Sequence, residues 1–344
     1  MTRRIAAAAA GMALTCGMLA ACSAAASTGS TLTLYSGQHL QTAQNLVAAF
    51  EKKTGITVSI RSDDEDALAD QIVTEGSHSP ADVFFTENTP PLEFLQGKGL
   101  LAHLDPGTLG ATPARYRSAA GDWTGISART SVLIYNPALI SPGQLPAHVL
   151  QLASPAFKGK LAIAPQETDF QPIVTSIIDA YGKPAALSWL KGIKANAGSS
   201  HNYPDNETVA DEVNRGAVAF GLVNQYYWYR MRAEIGAGAT KARITHLAPR
   251  DPGYVIDVAG AAVLKSSRHQ KAAQELVAFL TSKQGQEIIA NPAKSISFEY
   301  PIDSGVTTMA GETPLRQLQP VPLSLSRLGT GSLAVSLLRQ AGLL

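Results

Sequence analysis

The chain has 344 residues, of which 45% are hydrophobic and 6% aromatic, and its formal net charge is +1. This length predicts two compact units, and the near-neutral charge without a long basic run argues against nucleic-acid binding. The two cysteines, Cys16 and Cys22, both lie near the N-terminus. The remainder of the chain therefore has no thiol for a disulfide or a thiolate metal site.

The first residues have the pattern of an export signal. Arg3 and Arg4 precede an apolar run, and small residues follow it up to Cys22. We interpret residues 1–21 as a signal peptide and residues 22–30 as a linker, because LAAC resembles the lipobox of bacterial lipoproteins, in which the cysteine is lipidated. An ordinary signal peptide or an uncleaved anchor is the alternative. Since no later apolar stretch is long enough to span a membrane, we expect an extracytoplasmic protein held to the cell membrane only by a lipid on Cys22.

Strand-like and helix-like segments alternate from Thr31 onward. TLTLY predicts a strand, and an apolar stripe then predicts a helix over 39–53 that ends at Gly55. ITVSIR and DVFFT predict further strands, DEDALADQIVTEG a helix with acidic residues at its N-terminal end, and TPPLEFLQGKG a short helix. This βαβαβ order predicts a largely parallel sheet covered by helices.

The pattern changes in the middle of the chain, where a strand is predicted only over Ser131–Tyr135. A second α/β series follows, with strands at KLAIAP and AVAFGLV, helices over about 171–181 and 184–194, and a helix capped by Asp205. YVIDVAGAAVL predicts an extended segment, and HQKAAQELVAFLTSKQGQEIIA predicts one long amphipathic helix. Helical patterns continue after Met309.

Two α/β units joined by extended segments predict a two-lobed α/β protein with a ligand cleft. Open α/β sheets bind ligands beyond the carboxyl ends of their strands. This rule selects SGQH after the first strand, TEN after the third, and NQYY after AVAFGLV. These ends carry His39, Glu87, Tyr226 and Tyr227.

Each of these four residues, taken alone, is more commonly a surface or packing residue. Tyr226 and Tyr227 cannot both face one core stripe of a helix, but in a first helical turn both can project over the strand end. A set rich in oxygen, with one nitrogen and no sulfur, suits a hard and highly charged cation. Phenols have a pKa of about 10 and become ligands only when the metal displaces the proton, which ferric iron is acidic enough to do.

Four stretches carry a resemblance to a known family: YSGQH, SPADVFFTEN, NQYYW and RDPGYVIDVAGAAVLKSS. The chain resembles bacterial ferric-iron-binding proteins that supply ABC-type uptake transporters, within the type II periplasmic-binding-protein fold. The resemblance implies His39, Glu87, Tyr226 and Tyr227 as ligands of Fe(III), and an ABC transporter permease as partner. We expect a monomer.

The resemblance also implies a small anion, such as phosphate or carbonate, that completes the coordination of the iron. Motif positions suggest Asn88, Asn206 and Asn224 as amide donors to this anion.

The sequence departs from the family pattern at PQETDF, which puts Glu167 and Asp169 near the expected anion position. Carboxylates repel an anion unless one of them replaces it as a ligand or both face outward. Arg129 lies near the hinge by family analogy, where it could offset this charge or hold carbonate.

The clamp hypothesis divides the chain into an N-terminal lobe, 31–131 plus about 257–307, and a C-terminal lobe, about 132–256 plus 308–344. By the resemblance, segments near Ser127–Tyr135 and Tyr254–Ala262 would cross between the lobes as hinges, and iron would bridge the lobes.

Two other functions remain open from the sequence. A binding protein of the same fold could hold an organic solute such as a polyamine or a sugar. An anchored hydrolase is the more distant alternative, because no G-x-S-x-G, H-E-x-x-H or P-loop motif is present. The prediction is that the protein is not an enzyme.

Overall fold

The structure is a computed structural model that describes residues 31–302, 305–309 and 311–344. The predicted signal peptide, the linker and Cys22 lie outside the described residues. The described part is an α/β fold in which β-strands and α-helices alternate along most of the chain. No helix of this part is both long enough and apolar enough to cross a bilayer.

The predicted βαβαβ order of the N-terminal part is confirmed. Strand β1 pairs in parallel with β2 and β3, and the intervening helices cover the sheet. Helix α1 buries Leu46, Val47 and Phe50 and ends at Gly55, whose φ of 74° is the left-handed value that suits glycine. The elements are β1 Thr31–Ser36, α1 Leu40–Thr54, β2 Thr57–Ser62, α2 Glu65–Glu75, β3 Val83–Phe85 and α3 Thr89–Gly97.

Strand β4 is longer than the sequence predicts. It follows the short helix α4, Pro106–Ala111, and runs over Thr124–Tyr135, and every one of its residues is buried. The prediction of a strand over Ser131–Tyr135 alone was wrong about where the strand begins. The first part of β4 carries polar side chains such as Ser127 and Arg129, which resemble a loop in sequence but are hydrogen-bonded inside the protein.

Strand β4 connects the two halves of the sheet. Its residues Thr124–Thr130 pair antiparallel with β8, and Ser131–Tyr135 pair antiparallel with β6 and β7. The strand order is β2-β1-β3-β8-β4-β6-β5, with β7 and β9 also paired to β4. The remaining strands are β5 Leu161–Ala162, β6 Phe220–Asn224, β7 Arg243–Thr245, β8 Ile256–Val263 and β9 Tyr300–Pro301.

The helices of the second half agree with the predictions in all but one case. Helix α5 bends at Gly182, so it corresponds to the two predicted helices, and the Asp205 side chain caps α6 by accepting from Thr208 N. The single long helix predicted after His269 is wrong, because Ser282 has an extended backbone and its side chain caps a new helix. The helices are α5 Phe170–Ala197, α6 Asn206–Arg215, α7 Gln225–Ile235, α8 Gln270–Thr281, α9 Lys283–Ile289 and α10 Ser332–Ala341.

A large apolar cluster spans both halves of the sheet, and two smaller clusters each support one half. One cluster packs α1, α8 and α9 against the first half of the sheet, with Phe50 and Phe279 in contact. Another packs α6 and α7 against β4 and β6, and it includes both Tyr226 and Tyr227. The strand ends that carry the predicted site residues are therefore held both by the shared cluster and by a cluster specific to their half.

Candidate functional site

The structure brings the four predicted metal-ligating residues together at one place, which is called the cleft below. His39 follows β1, Glu87 follows β3, and Tyr226 and Tyr227 lie in the first turn of α7, directly after β6. The Nδ1 atom of His39 is 2.5 Å from Oε1 of Glu87. The His39 ring stands edge-on to the Tyr226 ring, with 5.7 Å between the ring centroids.

The two tyrosines converge on one carboxylate oxygen. Their ring centroids are 4.1 Å apart, and both residues are buried. The Tyr226 hydroxyl donates to Asp169 Oδ2 at 2.7 Å, and the Tyr227 hydroxyl donates to the same atom at 2.9 Å. Adjacent tyrosines in a first helical turn thus present both phenol oxygens at one point.

Both phenols are protonated when no cation is nearby. Burial raises the pKa of Tyr226 and of Tyr227 well above the usual value of 10.0, and the Asp169 carboxylate raises each pKa further. A buried phenolate beside a carboxylate is unfavourable because two negative charges would share a region with little water. Only a strong positive charge at this point can displace the two protons.

Asp169 faces the tyrosines, whereas Glu167 lies nearer to the edge of the cleft. Asp169 is 6% exposed, and its Oδ1 is 3.3 Å from Nη1 of Arg129. Glu167 is half-buried, and burial together with the charges of Asp169 and Glu207 raises its pKa to about 8. Of the two carboxylates in PQETDF, Asp169 is the one in direct contact with the phenols.

Arg129 lies next to the cleft on β4 and is 1% exposed. Its Nη1 donates to Asn88 Oδ1 at 2.8 Å, and its Nε donates to Glu299 Oε1 at 3.0 Å. Burial alone would lower the pKa of Arg129, but Glu299 and Asp169 raise it well above the usual value. The guanidinium is therefore a permanent positive charge that links Asn88 to Asp169.

The His39 side of the cleft is more exposed than the tyrosine side. The side chains of His39 and Glu87 are 15% and 19% exposed. Burial raises the pKa of Glu87, but His39, Arg129 and Arg230 outweigh that effect, and the pKa stays below the usual value. Arg230 Nη2 contacts His39 Nε2, and because a guanidinium can only donate, Nε2 accepts and the ring proton lies on Nδ1.

The three asparagines predicted near an anion have different surroundings. Asn88 donates from Nδ2 to Glu65 Oε1 at 2.7 Å and to Thr168 Oγ1 at 3.1 Å. Asn206 begins α6 and Asn224 ends β6, and both are buried. The side-chain amides of these two residues make no hydrogen bond to the described part of the chain.

The other aromatic residues of NQYYWYR contribute to packing. Trp228 Nε1 donates to the Ala242 carbonyl at 2.8 Å, and the Tyr229 hydroxyl lies 3.5 Å from the Gly311 carbonyl. Neither side chain contacts Asp169 or His39, so the first two tyrosines differ from the rest of the segment.

Several charged residues of the cleft were missed by sequence reasoning. Glu65 is 3% exposed, and its Oε2 accepts from the backbone N of Glu87 at 2.7 Å and of Asn88 at 2.9 Å. The sequence suggested only a favourable helix dipole for this residue. No local sequence pattern marks Arg230, Glu207 or Glu299 as site residues, because each meets its partners only after distant segments fold together.

Within the described residues, no group of three His, Cys, Asp or Glu side chains could hold a metal ion. A metal site in this cleft therefore depends on the phenol oxygens.

Comparison with known proteins identifies the family of this chain. A family described as "Bacterial extracellular solute-binding protein" matches residues 36–287. The chain belongs to this family of solute-binding proteins. The Fe(3+)-binding periplasmic protein of Serratia marcescens is 38% identical to it over 95% of each chain.

Solved structures of solute-binding proteins also match. Iron-bound HitA from Pseudomonas aeruginosa has a TM-score of 0.85 and 41% identity, covering 91% of this chain and 99% of its own. A Trichodesmium protein (IdiA, FutA) in complex with iron and citrate ligands has a TM-score of 0.79 and 28% identity, covering 91% of this chain and 100% of its own. The predicted fold class and the resemblance to ferric-iron-binding proteins are confirmed.

Proposed function

We propose that this protein captures ferric iron between two lobes and delivers it to an ABC-type importer, without catalysing a reaction. The observation that carries the proposal is the convergence of Tyr226 and Tyr227 on Asp169, beside the pair formed by His39 and Glu87. The named relatives support it, because the Serratia protein is called an Fe(3+)-binding protein and the Pseudomonas structure contains iron.

Ferric iron is the cation that fits these donors best. His39, Glu87, Tyr226 and Tyr227 supply one nitrogen and three oxygens, and the phenols need a highly acidic metal to lose their protons. The buried phenol rings, 0% and 5% exposed, offer little surface for stacking on an organic solute. A polyamine or a sugar would also leave the two inward-facing hydroxyls without a function.

Asp169 is proposed to take the coordination position that an anion would fill. Its Oδ2 lies 2.7 and 2.9 Å from the two phenol oxygens. Neighbouring oxygens in an octahedron with metal–oxygen bonds of about 2.0 Å are about 2.8 Å apart, so an ion replacing the two protons could bind all three atoms. On this proposal, phosphate or carbonate at Asn88, Asn206 and Asn224 is not required.

Binding at His39 requires Arg230 to move. Nε2 of His39 has one lone pair, and in this structure Arg230 Nη2 occupies it. Arg230 also bonds to the Ile296 carbonyl through Nε, at 3.2 Å, and its guanidinium lies 5.2 Å from the Tyr226 ring centroid. We propose that incoming iron displaces this guanidinium from Nε2.

The path of β4 supports the clamp mechanism. Its pairing changes from β8 to β6 between Thr130 and Ser131, close to the predicted division into lobes 31–131 plus about 257–307, and about 132–256 plus 308–344. Under this division His39 and Glu87 belong to one lobe and the tyrosines to the other. Iron would then favour the closed arrangement, because only that arrangement makes all the metal bonds.

The cellular location is proposed from the relatives and from the N-terminal sequence. The Serratia relative is named as periplasmic, which supports an extracytoplasmic protein. We propose a signal peptide over 1–21 and a lipid on Cys22. A Cys22→Ser variant should be released from the membrane fraction and lose incorporation of a labelled fatty acid, and retention of both would contradict the anchor.

Adding Fe(III) with a weak chelator to the purified protein tests the metal proposal. The expected result is a reddish visible band, arising from phenolate-to-iron charge transfer, that disappears in the Tyr226→Phe, Tyr227→Phe double variant. Tyr229→Phe is the matched control, because this hydroxyl lies in the same helix and points toward the Gly311 carbonyl. A protein that stays colourless and takes up no iron would contradict the proposal.

A further inference from the structure

Glu299 is a buried carboxylate at the centre of a hydrogen-bond network behind the cleft. It is 0% exposed, and neither the sequence patterns nor the ligand chemistry assigns it a role. Its Oε1 accepts from Arg129 Nε and Nη2. Its Oε2 accepts from Ser127 Oγ at 2.5 Å and from Gln38 Nε2 at 3.1 Å.

The first arm of this network runs through Gln38 to His39. A carboxylate can only accept, so Glu299 fixes the orientation of the Gln38 amide, with its nitrogen toward Glu299 and its oxygen toward His39. Gln38 Oε1 accepts from His39 N at 2.7 Å and lies 2.7 Å from His39 Nδ1. An acceptor at this place requires the ring proton on Nδ1 and leaves the lone pair on Nε2, where a metal can bind once Arg230 has moved.

Three groups favour this tautomer in the metal-free structure: Gln38 and Glu87 near Nδ1, and Arg230 at Nε2. On the proposed function, binding of iron would remove two of these influences, because Glu87 would turn its oxygen to the ion and Arg230 would leave Nε2. Gln38 then remains as the partner that holds the Nδ1 proton and the plane of the ring.

The second arm runs through Arg129 to the tyrosines. The end of the guanidinium away from Glu299 meets Asp169 Oδ1 at 3.3 Å and Asn88 Oδ1 at 2.8 Å. Asp169 Oδ2 then accepts from both phenols. One buried carboxylate therefore lies behind both sides of the cleft.

We infer that Glu299 is a positioning residue for cargo binding, which fixes His39 as an Nε2 ligand through Gln38 and holds Asp169 through Arg129. The inference rests on the proposed binding of ferric iron. Gln38 is the partner bonded directly to His39, and loss of such a partner typically changes metal affinity by about 10- to 100-fold; Glu299 acts through it from one hydrogen bond further away.

Glu299→Gln tests the first arm because it changes one oxygen to a donor and preserves shape. The new NH2 group cannot face Arg129, which only donates, so it faces Gln38. Gln38 must then turn its own amide and present NH2 to His39, where the acceptor for both the backbone N–H and the Nδ1 proton is lost. Iron affinity, measured by competition with a chelator, is expected to fall about 10- to 100-fold.

A second substitution should reverse this loss. In the double variant Glu299→Gln, Gln38→Glu, the amide and the carboxylate exchange places. The new amide at position 299 donates to one oxygen of the new carboxylate at position 38. The other oxygen of that carboxylate again accepts from His39. The double variant is expected to regain most of the lost affinity. NMR spectra of both variants loaded with diamagnetic Ga(III) give an independent readout, the exchange rate of the His39 Nδ1 proton. The signal of a slowly exchanging proton should be lost in Glu299→Gln and return in the double variant.

Gln38→Met provides a variant that leaves the Glu299–Arg129 ion pair intact, in case Glu299→Gln fails to fold. It should reduce iron affinity and increase exchange of the Nδ1 proton. Asp82→Asn is the matched control, a 3% exposed carboxylate that accepts from Thr33 N and Ser267 Oγ at the other end of β3. Its iron affinity should equal that of the unmodified protein.

Two results would overturn the inference: unchanged affinity in both Glu299→Gln and Gln38→Met, or a double variant that binds iron no better than Glu299→Gln. Failure of the unmodified protein to bind iron is a separate result, which would overturn the proposed function and this inference with it.

Discussion

The two sides of the cleft are built differently. Tyr226 and Tyr227 belong to an apolar cluster under β4 and β6 and are 0% and 5% exposed. His39 and Glu87 belong to no such cluster, and their side chains are 15% and 19% exposed and held by hydrogen bonds. Packing fixes the phenols, whereas a polar network fixes the imidazole and the carboxylate.

This difference suggests that the two sides contribute differently to the affinity and to the kinetics of iron binding. The tyrosine side offers preorganised oxygens that cannot relax into water, so most of the affinity for a ferric ion should come from it. The His39 side can exchange partners, because Arg230 and a cation compete for the same nitrogen. It should therefore control how fast the ion enters and leaves more than how tightly it is held.

The largest expected effect is that of Tyr226→Phe, Tyr227→Phe on iron affinity. Removing both phenol oxygens takes away the donors that select a trivalent ion, and a loss of about a thousandfold or more is expected in chelator competition. Phenylalanine preserves the ring packing, and thermal unfolding without metal checks that the fold is intact. If the double variant loses no more iron affinity than His39→Ala does, the tyrosine side does not supply most of the affinity.

The second effect is a steep dependence of iron affinity on pH, which arises from the two tyrosines. The pKa values of both phenols are raised, so both protons are present in the metal-free protein at neutral pH and must leave when iron binds. Affinity should therefore fall as pH falls, by up to about a hundredfold per pH unit if two protons are released. Glu87 contributes little, because its lowered pKa keeps it ionised. Affinity at constant free Fe(III) that does not change between pH 5 and pH 8 would contradict this origin.

The third prediction distinguishes the contributions of Asp169 and Glu167, the two carboxylates of PQETDF, to iron affinity. Asp169→Asn should lower iron affinity by at least the roughly 10- to 100-fold that is typical of losing a partner that only supports a ligand. Binding should also become dependent on added phosphate or carbonate, because an anion would replace the missing ligand. Glu167→Gln is the matched control and should change affinity less, since Glu167 makes no contact with the phenols. Equal effects of the two variants would mean that Asp169 acts only through its charge.

The smallest effect on affinity is expected on the His39 side. His39→Ala should reduce affinity by about tenfold, while the rate of iron release to a competing chelator should rise by a similar factor. The visible band should remain, because both phenolates are still present. Loss of the band in this variant would show that the His39 side also determines whether the phenols ionise.

Much of the fold could be predicted from local sequence patterns. The βαβαβ order, the Asp205 cap and the bend near Gly182 follow from periodicity, capping residues and glycine. The length of β4 could not, because its buried Ser127 and Arg129 satisfy their polar groups with Glu299, a residue about 170 positions away. The break at Ser282 was missed because the apolar period continues across it.

The candidate site was predicted in part. The rule on strand ends, with the family resemblance, selected His39, Glu87, Tyr226 and Tyr227, and the structure places them in one cleft. The sequence left open whether Asp169 faces the cleft, since this depends on where the turn before α5 lies against α7. The supporting residues Gln38, Glu65 and Glu299 carry no local pattern, because their function exists only through partners in distant segments.

Resonance Raman spectroscopy of the iron-loaded protein, excited in the visible band, tests most directly the claim that both phenols bind iron as phenolates. The protein would carry ring-deuterated tyrosine, so that phenolate vibrations can be assigned by their shifts. We expect iron-phenolate modes in the unmodified protein and in His39→Ala, at about half intensity in either single Tyr→Phe variant, and absent in the double variant. A coloured iron complex without tyrosine-derived modes would contradict the account.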